Sequence, residues 1–266
     1  MGRIHLFEFE DQGWFPGFLR DYGTDFLQFL SNKTGMYKPI VPLLVETLKK
    51  SQTETIIDLA SGGGGGLLAL NRELKERIPK LEIKLTDYYP NLAAFEYTRK
   101  LADNIEYELK SVDARNVPSE FKGLRTQFLS FHHFKPNDAK LILQNAVDSR
   151  SGIAIFEAQE RSFPSLLAML FSPITVLLTT PFIRPFKLGR LIFTYLLPIV
   201  PIFVLWDGIV SSLRTYSLKE MNKLIGELNE SQKYDWKVGK IKSGPSKLLY
   251  LIGTEKSNSD TYSKSL

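Results

Sequence analysis

Acids recur at equivalent places along the chain. Asp58 ends one strand-like run, Asp87 ends the next, and Asp113 follows the third. Between the first two lies a run of glycines, Gly62–Gly66, that opens directly into Leu67-Leu68-Ala69-Leu70. Glycines let backbone approach a ligand closely and adopt dihedrals that other residues avoid. A carboxylate after a second strand can accept from a ribose diol, and the next side chain, here Tyr88, can pack on a base. A carboxylate after a third strand can accept from an exocyclic amine. The chemistry is that of a nucleoside-type ligand held at the carboxyl ends of strands. A second group could move a proton. His132 and His133 are adjacent and make up two of the chain's three histidines. Glu157, Arg214 and Tyr216 are candidate contacts for a polar substrate head, and Trp14 and Phe15 are candidate covers of the site. Simpler roles stay open: a tight strand-to-helix link for the glycines, a cap for Asp113, a surface aromatic for Tyr88, and a structural role for one histidine, since neighbours on an extended segment point apart.

The elements that must position these residues alternate. Strands are expected at 55–59, 81–86, 105–110, 126–131 and 152–157, with helices at 66–77, 90–103 and 137–149. This rhythm implies a mostly parallel sheet with helices on both faces. An aromatic-rich helical lead-in occupies 1–50. A helix at 217–228 and a hairpin of strands at 236–241 and 247–253 close the domain, and a polar tail over 255–266 is expected to be disordered.

Spacing excludes two other phosphate or dinucleotide sites. A P-loop needs Gly-Lys-Ser/Thr, but Gly66 is followed by Leu67 and Leu68. A dinucleotide fingerprint needs a third glycine where Leu67 or Leu68 stands. Asp58-x-Ala60-x-Gly62-x-Gly64 instead resembles motif I of class I S-adenosylmethionine (SAM)-dependent methyltransferases, with Ala60 in place of the first glycine. The resemblance covers roughly 35–160 and 208–255. It implies a Rossmann-like α/β fold with a seven-stranded, mostly parallel sheet, closed by the antiparallel strand pair at 236–253. It implies SAM as cofactor, with Asp87 on the ribose and Asp113-Ala114 at the adenine edge. Ser130 to Phe134, with the histidine pair, would border methionine and substrate.

The family does not account for 163–207. Phe163–Trp206 carries only Arg184, Lys187 and Arg190 as charges, flanked by stretches rich in Leu, Ile and Phe and broken by prolines. Two full membrane spans would carry this basic turn across the bilayer, against the usual placement of positive charge. A monotopic or interfacial pair of helices, with the three cations near lipid phosphates, fits better. A buried cap over the site and a dimer surface are the alternatives. The remaining segments are a cofactor-binding core at 51–162 and its continuation at 208–254.

Composition narrows the rest. The chain has 266 residues, a net charge of +5 and no cysteine, which excludes disulfides and thiolate metal sites. No dense basic block with interleaved aromatics is present, so no nucleic-acid partner is expected. No metal site is expected either, because His132-His133 has no further ligand at a recognised spacing. The N-terminus does not read as a secretory signal, and a cytoplasmic protein at the inner face of a membrane is expected. The expectation is a SAM-dependent methyltransferase acting on an apolar or lipid-like small molecule, with His132 or His133 as base. The alternatives are a non-catalytic membrane adaptor that retains the fold and a nicotinamide-dependent oxidoreductase.

Overall fold

The structure is a computed structural model and describes residues 2–244 and 246–256. Seven strands form one sheet: β1 (Thr55–Asp58), β2 (Glu82–Leu85), β3 (Ile105–Tyr107), β4 (Leu124–Phe128), β5 (Ile153–Glu157), β6 (Tyr234–Ser243) and β7 (Ser246–Glu255). Their order is β3-β2-β1-β4-β5-β7-β6. The first five are parallel, with Ile56 level with Ile83 on one side and Leu124 on the other. β7 runs antiparallel between β5 and β6. The order reverses direction between β1 and β4, which opens a crevice at their carboxyl ends.

Side chains alternate across the sheet, and each face has its own core. Ile56, Ala154 and Phe156 face α2 (Val41–Lys50), α3 (Leu67–Lys75) and α4 (Leu92–Leu101). Ile57, Ile153 and Ile155 face α5 (Pro136–Asp148) and, further along the chain, the helix Leu218–Gly226. β4 and β5 are buried along their whole length, as parallel strands covered on both faces are.

A third helical layer covers the crevice. The N-terminal α1 (Gly17–Thr34) packs on α7 (Ser172–Thr179), α8 (Leu188–Leu191) and α9 (Ile199–Arg214), while α6 (Phe163–Leu170) packs on α9, and α10 is the helix at Leu218–Gly226 already met. Phe15, Leu19, Tyr22 and Phe26 join Val176, Ile183, Val200 and Phe203 in one cluster. The lead-in and the insertion are therefore one cap, although the sequence separates them by more than a hundred residues.

Several expectations need correction. β4 begins at Leu124 and stops at Phe128, not 131, because Leu129 takes φ +52° and Phe131–His133 form a 3-10 turn. The expected boundary at 207 falls inside α9, a continuous helix. Glu255 belongs to β7, and Lys256 N–H donates to Lys233 O at 2.8 Å, so these two are ordered. The rest of the expected disordered tail lies outside the described residues. The basic turn does not present all its charge outward. Arg190 is buried and donates to Asp25 Oδ2 of α1 at 2.6 Å, and Lys187 Nζ reaches the same oxygen at 2.8 Å. Only Arg184 of the three is exposed.

Candidate active site

The glycine turn is built on Asp58. This carboxyl is buried and accepts from Thr126 Oγ1 at 2.6 Å, while its main-chain oxygen takes Thr86 Oγ1 at 2.8 Å and Ser61 Oγ at 3.0 Å. These bonds fix where β1 ends and the turn begins. Ala60 and Gly62 have φ of +52° and +56°, and Gly64 and Gly65 have +89° and +47°. The first of these is the position where the family motif has glycine, and Ala60 adopts the left-handed geometry regardless. Ala60, Ser61, Gly62, Gly63 and Gly65 line a cavity of ≈ 610 Å³. At Gly65 an added Cβ would meet nothing within 4 Å. Gly64 does not line the cavity, and a Cβ there would meet Gln28 Nε2 and Thr98 Oγ1 at 3.2 Å.

Asp58 does not line the cavity and so supports the turn rather than touching a ligand. Burial pushes its pKa up to about 7, from an ordinary value of 3.8. A raised folded-state pKa means that protonation favours the fold. That contribution is complete below about pH 4 and is lost as pH rises through about 7. Asp58→Asn, neutral throughout, is expected to flatten the fall in stability across this window, as read from urea unfolding midpoints at a series of pH values.

Asp87, Tyr88, Asp113 and Ala114 all line the cavity. Asp87 Oδ2 accepts from Gly62 N–H at 2.7 Å and Oδ1 from Tyr89 N–H at 2.7 Å. Each oxygen keeps a lone pair for a further donor. Burial raises the Asp87 pKa against these two bonds. Tyr88 is exposed at the rim, and the Arg20 guanidinium sits 4.5 Å over the ring of Tyr89. Asp113 is gripped by Arg115, whose Nη2 lies 2.7 Å from Oδ2 and whose main-chain N–H donates to Oδ1 at 2.9 Å. Hydrogen bonding to Arg115 holds the Asp113 carboxyl below its usual range. The expected acceptor for an exocyclic amine is thus already engaged by a cation.

The other half of the cavity is formed by the histidines and the cap. The 3-10 turn places the two rings side by side, with centroids 4.3 Å apart, and does not splay them as an extended segment would. His132 is buried on Glu157, which takes the His132 main-chain N–H on Oε1 at 3.0 Å and lies 2.9 Å from Nδ1 through Oε2. With Nδ1–H donating to that carboxylate, Nε2 carries the free lone pair; the side-chain amide of Gln159 also lies 3.1 Å from Nδ1. Nε2 is buried and has no hydrogen-bond partner among the described residues. His133 differs. Its Nδ1 lies 2.8 Å from Asp11 Oδ1 and 3.1 Å from Glu8 Oε2. Burial works to lower its pKa, but the Glu8 and Asp11 carboxylates outweigh it and push the value up to about 10. His133 is therefore cationic at neutral pH, and His132 alone is available as a base.

The remaining sequence candidates do not line this cavity. Glu157 lies beneath His132 rather than on the cavity wall. Arg214 is buried, with Nη1 2.5 Å from Asp11 Oδ2 and 3.1 Å from Glu8 Oε1. Tyr216 donates to Phe134 O at 2.8 Å beneath the Arg3 guanidinium, 4.2 Å from its ring centre. Neither Trp14 nor Phe15 lines the cavity. Lining residues without a role in the sequence reading include the acids Glu8, Glu10, Asp11 and Asp207. The first three arrive on a strap over residues 2–12, and Asp207 stands on α9. Asp207 Oδ1 and Oδ2 accept from Phe9 and Glu10 N–H at 2.8 and 3.2 Å, and Arg214 Nε donates to Leu6 O at 2.7 Å. Burial raises the pKa values of Glu10 and Asp207, with added repulsion from Asp207 at Glu10 and from Glu8 at Asp207. The sequence signal was there: three acids within an aromatic stretch, and a single acid inside the otherwise apolar α9.

No family model matches the chain, and no curated protein matches it in sequence. Solved structures do match. An O-methyltransferase family protein from Burkholderia thailandensis is 19% identical, with a TM-score of 0.51 over 90% of this chain and 60% of that one. Human N-acetylserotonin methyltransferase, solved with SAM, is 14% identical, with a TM-score of 0.48 over 87% of this chain and 56% of that one. Magnesium protoporphyrin IX methyltransferase from Synechocystis PCC 6803, solved with SAH, is 10% identical, with a TM-score of 0.46 over 86% and 88%. The chain spans less than two thirds of the length of the first two. The likeness to the first shows the fold: this chain folds as a Rossmann-like methyltransferase domain does.

Proposed function

We propose that the protein transfers the methyl group of SAM to a protic group on an apolar, lipid-like acceptor at the cytoplasmic face of a membrane, with His132 as general base. The observation that carries this reading is the single cavity joining the glycine turn and Asp87 to the unpartnered Nε2 of His132. The residues fit the cofactor. Asp87 retains lone pairs for the ribose diol, Tyr88 can pack on the adenine, and the turn at Ala60–Gly65 brings main chain without side chains to the remainder. With Asp113 held by Arg115, the main chain of Asp113-Ala114 is what remains for the adenine edge.

When bound, SAM would supply an electrophilic methyl group on a sulfonium. The protein's own part is to align the acceptor, keep water out and take a proton. His132 Nε2 accepts the acceptor's proton as the bond to carbon forms, and Glu157 balances the resulting imidazolium through Nδ1. The acids of the strap and Asp207 suit a cavity that must hold a cationic donor. Ala168, Met169 and Val204 of the cap give the acceptor half an apolar wall. Asp87→Ala is expected to weaken SAM binding by roughly tenfold to a hundredfold, the worth of hydrogen bonds to a charged group. Calorimetric titration checks this, and unchanged affinity would move the cofactor elsewhere.

The membrane part of the proposal rests on the outer surface of the cap. Phe163, Leu178, Phe182 and Leu196 are 76%, 68%, 65% and 75% exposed, and Phe171, Phe186, Leu188 and Ile202 are exposed with them. Among the described residues no single helix is long and apolar enough to cross a membrane. The apolar helices are bent by 42° between α6 and α7 and by 80° before α9, a shape suited to one leaflet. Exposed large apolar side chains in this number on one helical segment support a contact role for it. The double substitution Leu178→Glu and Leu196→Glu is expected to abolish co-sedimentation with anionic phosphatidylglycerol vesicles. Retained sedimentation would exclude this face.

A further inference from the structure

We propose that Glu8, His132 and His133 form a binding site for a divalent first-row transition-metal ion of the zinc class, closed by the N-terminal strap. One ligand atom from each of the three residues lies within 4.8 Å of the others. No spacing along the chain marks this set, because Glu8 reaches the histidines only across the folded strap. The donors are unlike a surface acid cluster. Glu8 and His132 are 1% and 2% exposed, and His132 Nε2 has no hydrogen-bond partner among the described residues. A buried imidazole nitrogen without a hydrogen bond, 3.9 Å from a carboxylate oxygen that is held only by its ion pair with Arg214, is costly unless something fills the space beside it.

The surroundings favour a metal. Glu157 receives the Nδ1–H of His132, the second carboxylate of a carboxylate–histidine–metal arrangement, which orients the ring and makes Nε2 more basic. Asp11 Oδ1, 2.8 Å from His133 Nδ1, stands ready as a fourth donor. Arg214 is the competing cation. It contacts Glu8 Oε1 and Asp11 Oδ2, so Glu8 Oε2 and Asp11 Oδ1 are the oxygens turned toward His133. Two carboxylates therefore meet at His133 Nδ1, and a metal there would take the place of a proton, with Arg214 still pairing Glu8 Oε1 and Asp11 Oδ2. Paired imidazoles with carboxylates suit zinc, iron(II) or cobalt(II) rather than magnesium or calcium.

Metal binding stands on these ligands alone. One consequence rests on the proposed function: a bound ion takes the lone pair of His132 Nε2, so metal occupancy and base catalysis exclude each other.

The test uses the full-length protein stripped of metal and titrated with zinc and, separately, cobalt(II), with no methyl donor present. The expected result is one equivalent bound, and X-ray absorption of the loaded protein showing two imidazole nitrogens at about 2.0–2.1 Å. Glu8→Gln and His133→Asn should each weaken binding at least about tenfold, and His5→Gln, the third histidine, should leave it unchanged. Absence of stoichiometric binding overturns the site, as does a bound metal with fewer than two imidazoles, or binding retained by folded Glu8→Gln and His133→Asn. The absorption spectrum of the wild-type protein decides the matter if a variant does not fold. A chelator-reversible loss of methyl transfer on zinc addition tests the consequence separately.

Discussion

His132→Ala is expected to lower kcat for methyl transfer by roughly 10²–10⁴-fold, the usual worth of a positioned general base, while SAM affinity stays unchanged. The separation follows from the geometry. Nε2 lies in the acceptor half of the cavity, whereas Gly62 and Asp87 make the other half and do not depend on the histidine ring. Glu157→Gln should give a smaller loss. The amide can still occupy the place between the His132 main-chain N–H and Nδ1, but it no longer balances an imidazolium. His133→Gln should behave differently, since that ring is held protonated by Glu8 and Asp11 and has no proton to accept. Single-turnover kinetics with each variant, beside calorimetric SAM titrations, separate these roles. Equal losses in His132→Ala and His133→Gln would argue that the pair serves packing rather than proton transfer.

Asp25→Asn is expected to destabilise the protein by about 3–5 kcal/mol, the cost of leaving a buried charge without its partner. Asp25 is fully buried and Arg190 is 2% exposed, joined at 2.6 Å, and Lys187 Nζ adds a second cation at 2.8 Å. Asn91 Nδ2 donates to the other carboxylate oxygen at 3.3 Å. This cluster ties α8 to α1 and so joins the insertion to the lead-in. Arg190 also donates to Ile183 O and Pro185 O at 2.8 and 2.7 Å, which fixes the loop between α7 and α8. Urea unfolding gives the loss, and limited proteolysis should show earliest cleavage between 180 and 198. Replacing both partners by apolar residues, Asp25→Leu with Arg190→Met, should recover most of it, because the unpaired charge is then gone. A double variant no better than Asp25→Asn would show that the pair matters for its hydrogen-bond geometry.

Local features were the legible ones. The strands expected at 55–59, 81–86 and 152–157 are short, and all three became strands of the parallel sheet, at Thr55–Asp58, Glu82–Leu85 and Ile153–Glu157. Asp87 could be placed at the rim of the crevice because it follows its strand directly. β4 was harder. Arg125, Thr126 and Gln127 are buried within it, with Arg125 Nη1 donating to Asn145 Oδ1 at 2.7 Å, so the polar sequence hid its true start. Its expected end at 131 overran because Leu129 breaks the strand by a left-handed backbone that its residue type does not announce.

The site was legible only on its cofactor side. Gly62, Asp87 and Asp113 lie near one another along the chain, and alternation of strand and helix brings them together. The acceptor side assembles from distant segments. Glu8, Glu10 and Asp11 come from the strap, Asp207 from α9, and the histidines from the turn after β4. Nothing in the spacing of these residues reveals that they meet. The roles of Glu157 and Arg214 were likewise invisible, because each touches a site residue rather than the cavity itself. The charges of the basic turn were misjudged for the same reason: Asp25, their partner, is remote in sequence.

Transfer of labelled methyl tests the central claim most directly. Purified protein would be incubated with [methyl-³H]SAM and a whole-lipid extract, then partitioned into organic solvent. The expected result is label in the organic phase that requires the wild-type protein, disappears with His132→Ala, and falls at limiting SAM with Asp87→Ala. Absence of organic-phase label from a protein shown to bind SAM, or label undiminished by His132→Ala, would contradict the account.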